Sequence, residues 1–175
     1  MCGIAGIYRP GLGPVSRDLI RQMSDSMTHR GPDADGLYTD ADFGFAHRRL
    51  SILDLSSAGN QPMSTSDGKL LVVFNGEIYN YLDLKFQLSE KGHRFFSKSD
   101  TEVLLHGYRE WGLDVIPKLN GMFAFAIWDK KERKLILARD RYGQKPIYFW
   151  SYSGELVFAS EIKAILKQKF SWQKN

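Results

Sequence analysis

Residues 122–128 read MFAFAIW, and residues 70–75 read LLVVFN. A strand with one face in water alternates apolar and polar side chains, whereas a strand covered on both faces is apolar throughout. Both runs are of the second kind, so each needs a layer above it and a layer below. Downstream of the first, the charged turn DKKERK at 129–134 leads into LILARD at 135–140, which predicts a hairpin. A second hairpin is predicted from IYFW at 147–150 through a Ser/Gly turn into ELVFAS at 155–160. Upstream, CGIAGIY at 2–8 reads as a short strand of small residues, and two more strands are expected near 36–39 and 43–54. LLVVFN runs into Asn75-Gly76, a pair with the signature of a tight turn.

Helices fill the gaps. Residues 16–28 place Leu19, Ile20, Met23 and Met27 on one face behind Ser16 as N-cap, and Arg30-Gly31-Pro32-Asp33 ends the run. Residues 80–91 form a second helix closed by Gly92. Ser99 and Glu102 have capping-box spacing and open a third that stops at Gly112, and a last helix starts near Ser160. Short turns between strands imply antiparallel pairing. The expected class is α+β: two antiparallel sheets between helix layers, an αββα four-layer sandwich.

The chain has 175 residues with 43% hydrophobic and 25% charged, the balance of a globular domain. A net charge of +4 is mild, and the basic residues Lys130, Lys131, Arg133, Lys134, Lys163, Lys167 and Lys169 lack interleaved stacking aromatics, so they read as solvated faces rather than a nucleic-acid site. No apolar run approaches the roughly 18–20 residues of a membrane span, and no secretion signal is visible. One cysteine cannot form an internal disulfide, which fits the cytoplasm. The histidines at 29, 47, 93 and 106 lack metal-ligand spacing, so no metal is expected. Gly11-Leu12-Gly13 precedes Pro14 and reads as a turn, not a phosphate loop.

The single cysteine is residue 2. Removal of Met1 would start the chain with a thiol and a free α-amine on one residue. Such an amine has a pKa of about 7.7–8.0 and can act as a base, and the thiolate is a strong nucleophile. A lone Cys is also compatible with a small buried hydrophobe. Position alone does not decide between them.

The ordered set CGIAGIY, HRGPD at 29–33, HRRLSILD at 47–54, NGEIYN at 75–80, SKSDTE at 97–102, GMFAFAIWD at 121–129, RDRYGQKPIY at 139–148 and ASEIKAIL at 159–166 resembles the class II glutamine amidotransferases. Among these it is most similar to the glutaminase domain of glutamine-hydrolysing asparagine synthetases, over residues 2–166. The resemblance implies an N-terminal-nucleophile (Ntn) hydrolase-like αββα fold. It implies a reaction that converts glutamine to glutamate and ammonia through a thioester on Cys2.

It also implies roles. Arg49, directly before Leu-Ser-Ile, would pair with the substrate carboxylate, while Arg48 on the same strand would point the other way. Backbone of Leu50, Ser51, Ile52 and Leu53 would complete that side. Asp100 would take the α-ammonium, or serve as a helix cap, with Glu102 supporting the capping box. The Asn75 side chain and the Gly76 N–H would form an oxyanion hole bordered by Glu77. Arg30 would lie near Cys2, where its charge would favour thiolate. His29 and His47 are expected to be packing residues.

The glutaminase step needs no cofactor. ATP and magnesium belong to a synthetase domain that is absent from this sequence, and residues 167–175 read as a polar tail or the start of a linker to it. The implied partners are L-glutamine and a synthetase domain or subunit as ammonia acceptor, with no nucleic acid and no membrane; a homodimer is left open. The alternative reading is a non-catalytic remnant that binds glutamine or regulates.

Overall fold

A computed structural model describes residues 1–168, so the end of the polar tail lies outside the described residues. The strands are β1 (Gly3–Tyr8), β2 (Ala34–Asp40), β3 (Phe43–Arg49), β4 (Met63–Ser64), β5 (Leu70–Ile78), β6 (Gly121–Asp129), β7 (Lys134–Arg139), β8 (Tyr148–Tyr152) and β9 (Glu155–Ala159). The α-helices are α1 (Arg17–Asp25), α2 (Tyr81–Glu90), α3 (Asp100–Trp111) and α4 (Ile162–Ile165). One sheet has the order β2-β3-β1-β9-β8 and the other β4-β5-β6-β7, and the paired strands are antiparallel.

The two apolar runs explain the layering. In β5, Leu71 and Val73 face the other sheet, while Leu70, Val72 and Phe74 face the helices. In β6, Ala124, Ala126 and Trp128 point inward and Phe123, Phe125 and Ile127 outward. The outward set packs with Leu84, Leu88, Val103, Leu104 and Leu105 of α2 and α3. On the far side, Ala5, Ile7, Ala46, Val157 and Ala159 pack with Ile20 and Met23 of α1 and with Ala164 and Ile165 of α4. This is the expected helix–sheet–sheet–helix order.

Three local expectations differ from the structure. Helix α1 ends at Asp25 rather than near 28, because the Ser26 hydroxyl takes the Met23 carbonyl (2.7 Å) and the Thr28 hydroxyl that of Asp25 (2.9 Å). Strand β3 stops at Arg49 instead of reaching 54. Its partner β2 begins at Ala34, opposite Arg49, and Pro32 just before it has no N–H to offer. The Asn75-Gly76 pair is not a turn; β5 continues through it to Ile78, with Gly76 opposite Phe123. A Cβ at Gly76 would come 2.2 Å from the Met122 carbonyl oxygen, so glycine here admits a close strand rather than a reversal.

Among the described residues, no helix is long and apolar enough to cross a membrane. None of their His, Cys, Asp and Glu side chains gather into a group that could hold a metal ion.

Candidate active site

Cys2 stands one residue ahead of β1, and the Gly3–Arg48 pairing lays it against Leu50, just past the end of β3. The Leu50 N–H donates to Cys2 Sγ at 3.4 Å, and the thiol faces the Leu50 carbonyl at 3.7 Å. Arg30 Nε donates to the Cys2 carbonyl at 2.9 Å, and Arg30 Nη1 donates to Glu161 at 3.1 Å. Arg30 therefore holds the backbone of residue 2, and its charge is matched by a carboxylate. Burial pushes the thiol pKa up; the Leu50 N–H, the terminal ammonium and Arg49 oppose this, and Asp100 adds to it. The net direction is upward, so the thiol needs a base to become a nucleophile.

A cavity of about 90 Å³ opens beside Cys2. Arg49, the last residue of β3, reaches its wall, while Arg48 turns the opposite way to pair with Asp25 and donate to the Ser24 carbonyl. The Arg49 fork is clamped by neutral oxygens only: the Ser56 carbonyl (2.7 Å), Asn60 Oδ1 (2.8 Å) and the Asp54 carbonyl. A Cβ on Gly59 would lie 2.4 Å from Arg49 Nη2, so a side chain there would push the guanidinium from its place. Leu50, Ile52 and Leu53 line the cavity, but Ser51 does not. Its N–H is turned away to Asp33 Oδ2 (2.8 Å), where the loop leaves the sheet.

Asn75 and Gly76 come to the same wall from β5, with Glu77 beside them. Asn75 is 1% exposed, and its side-chain Nδ2 has no hydrogen-bond partner. The peptide before it is gripped on both sides. Gln61 Oε1 accepts the Phe74 N–H (2.6 Å), and His47 Nε2 meets the Phe74 carbonyl (3.3 Å). Burial, with Arg49 assisting and the Phe74 contact opposing, lowers the His47 pKa to about 3. A neutral imidazole beside a carbonyl must carry its proton on Nε2, so His47 is a donor that supports the strand. His29 pairs with Glu161 at 2.9 Å on the surface.

Asp100 is the first residue of α3 and lines the cavity. Ser99 is the cap, its hydroxyl accepting from the Thr101 N–H at 3.1 Å, and the Asp100 carboxylate also meets that N–H. Its Oδ2 accepts from the Ile78 N–H (2.9 Å), which ties α3 to the end of β5. Burial raises its pKa against the Ile78 and Thr101 N–H groups, with Glu77 also raising it. Such a carboxylate gains from a cation arriving in the cavity. The capping box differs from expectation. Glu102 reaches past Ser99 to the N–H groups of Phe96 (2.9 Å) and Ser97 (2.7 Å), and the Ser97 hydroxyl accepts the Ser99 N–H (3.2 Å).

Sequence reasoning missed Gln61, Asn60, Asp54, Met122 and Lys145. Gln61 also donates to Thr101 (3.2 Å) and so joins the β5 strand to the start of α3. Lys145 lies inside the motif RDRYGQKPIY, but the motif alone does not say which way its side chain points.

The sequence matches the glutamine amidotransferase domain family over residues 1–175. It is 44% identical over 171 residues to asparagine synthetase (glutamine-hydrolysing) 1 of Bacillus subtilis, covering 95% of this chain and 27% of that protein. To asparagine synthetase (glutamine-hydrolysing) 2 of the same organism it is 42% identical over 181 residues, covering 99% of this chain and 24% of that protein. The chain thus spans about a quarter of the length of these relatives. Glutamine phosphoribosylpyrophosphate amidotransferase of B. subtilis has the same fold, with a TM-score of 0.78 at 24% identity over 94% of this chain and 43% of that one. The sandwich, the cavity at the end of β3 and β5 and the match across the whole sequence agree: the chain belongs to the glutamine amidotransferase domain family.

Proposed function

We propose that the chain hydrolyses L-glutamine to glutamate and ammonia through a Cys2 thioester. The observation that carries this is the buried, unpartnered Asn75 Nδ2 on the wall of the cavity that also holds Cys2, Arg49 and Asp100. A buried donor left without an acceptor is costly, unless an acceptor arrives with the substrate.

In this reading Met1 is removed and the Cys2 α-amine takes the thiol proton. The sulfur attacks the side-chain amide carbon, and the carbonyl oxygen becomes an oxyanion held by Asn75 Nδ2 and the Gly76 N–H. The C–N bond then breaks, the α-ammonium returns its proton to the nitrogen, and ammonia leaves a thioester. Water, deprotonated by the same amine, attacks the thioester carbon; the C–S bond breaks and glutamate departs. Arg49 pairs with the substrate carboxylate and Asp100 with its α-ammonium. No metal or nucleotide enters this step.

The ammonia goes to an acceptor of the asparagine synthetase type, as the names of the relatives suggest. ATP and magnesium would act there. A non-catalytic remnant is the less favoured reading, because thiol, guanidinium, carboxylate and free amide are together in one cavity.

The test is glutamate release from glutamine by protein whose N-terminus is verified by mass spectrometry. Cys2→Ala and any retained residue before Cys2 should each abolish it. Hydrolysis that persists with a blocked amine would sink the mechanism.

A further inference from the structure

We propose that Lys145 sets the basicity of the Cys2 α-amine by charge. This rests on the reading of Cys2 as an N-terminal nucleophile. The turn after β7 is built around one carboxylate. Asp140 accepts from the N–H groups of Phe123 (3.1 Å), Tyr142 (3.0 Å), Gln144 (3.2 Å) and Lys145 (3.4 Å), and Gly143 supplies the left-handed residue at φ +65°. The turn delivers Lys145 to the cavity wall, 7% exposed, with Nζ 3.2 Å from Met1 Sδ. A thioether is a weak acceptor. Among the described residues no carboxylate pairs with this ammonium, and Met1 is its one side-chain partner. Removing Met1 takes that partner away and leaves the cation on the wall of the cavity that Cys2, now the terminus, also lines.

A fixed like charge disfavours a second ammonium nearby. At about 10 Å and an effective dielectric of about 20, a unit charge lowers an amine's pKa by about one unit. The other charges around that nitrogen are Arg49, Asp54, Glu77 and Asp100 on the cavity wall, and Arg30 with Glu161 behind the Cys2 carbonyl. Arg49 is clamped by three oxygens, Arg30 by Cys2 and Glu161, Asp54 by Ser56 and the Lys98 N–H, and Asp100 by the Ile78 N–H. The oxygens on Arg49 are neutral, so its charge acts in the same direction, but Lys145 alone among the cations of this set is held by no oxygen. It tilts the balance toward a neutral amine, which is the form that can accept the thiol proton.

The experiment is the pH profile of kcat/KM for glutamine, on protein with Cys2 verified as first residue, for wild type, Lys145→Met and Lys145→Arg. The wild-type acid limb should fall below the ordinary α-amine range of about 7.7–8.0. Lys145→Met should move the limb up by about one pH unit, a loss of about tenfold on the limb that recovers at higher pH. Lys145→Arg should restore it. An unmoved limb, or a raised KM at every pH with the limb unmoved, would overturn the proposal; the second would make Lys145 a carboxylate-binding residue. A wild-type limb at or above the ordinary range overturns it even where Lys145→Met does not fold. Wild-type protein releasing no glutamate removes the nucleophile reading itself, and this proposal with it.

Discussion

Asn75 keeps a buried amide without a partner in the midst of a well-bonded strand, and a donor in that state costs roughly 1–3 kcal/mol. The fold bears the cost at the point where negative charge would develop. Asn75→Ala should therefore lower kcat for glutamine hydrolysis about 10²–10³-fold, with KM changed only severalfold, while thermal stability holds or rises. A drop in stability with kcat intact would mark the amide as a structural group. At this scale the sequence was informative about identity and poor about geometry. Cys2, Arg49, Asn75, Gly76 and Asp100 were singled out from their motifs and share one cavity. Ser51 was grouped with them by adjacency in sequence, but side chains and N–H groups of a turning loop face different ways, and only its neighbours reach the wall. Lys145 and Gln61 lie 143 and 59 residues from Cys2, and nothing local in the sequence tells which cavity a distant side chain will enter.

The start of α3 does two jobs, for Asp100 faces the cavity while Glu102, two residues on, organises the loop that leads in. Burial works to raise the Glu102 pKa, but His106, Ser97 and the Phe96 and Ser97 N–H groups outweigh it and hold it at about 2. A carboxyl depressed by folding stabilises the native state above its unfolded pKa, near the ordinary 4.5, and the gain is lost as pH falls from there to about 2. Glu102→Gln should cost about 1–3 kcal/mol at neutral pH, seen as a lower urea midpoint, and the gap to wild type should close as the pH approaches 2. A gap constant with pH would show that charge is not its source. Element by element, periodicity and caps located the helices well: Ser16 caps α1 and Gly92 follows α2 at φ +90°. Helix α1 ended early through local hydroxyl bonds, and the two strand misreadings came where long-range pairing overrode a local signal. Asn-Gly favours a turn, yet β6 beside it extends β5; the strand after Arg49 lacked a partner and ended.

At the scale of the molecule, legibility followed from burial on two faces. Because MFAFAIW and LLVVF could not meet water on either side, two sheets and two helix layers were required, and short turns made the pairing antiparallel. What the pattern could not show was which side chains knit the sheets together. Trp128 is 2% exposed and stacks on Phe43 with centroids 4.4 Å apart at 13°, and Tyr8 packs on it at 5.1 Å. Phe43 meets Phe45 edge-on at 4.4 Å, so an aromatic chain runs from β6 across to β3 and β1. Trp128→Ala would leave a void that stiff, interlocked rings cannot fill, at a cost of about 3–5 kcal/mol. Met122 marks the cavity end of β6, and Trp128 stands about 20 Å farther along the strand at roughly 3.3 Å per residue. Denaturant unfolding should thus show a much lower midpoint, while KM for glutamine stays at the wild-type value below the melting temperature. A raised KM in the folded variant would mean that the gap between the sheets transmits packing to the cavity, and that the two ends of β6 are not independent.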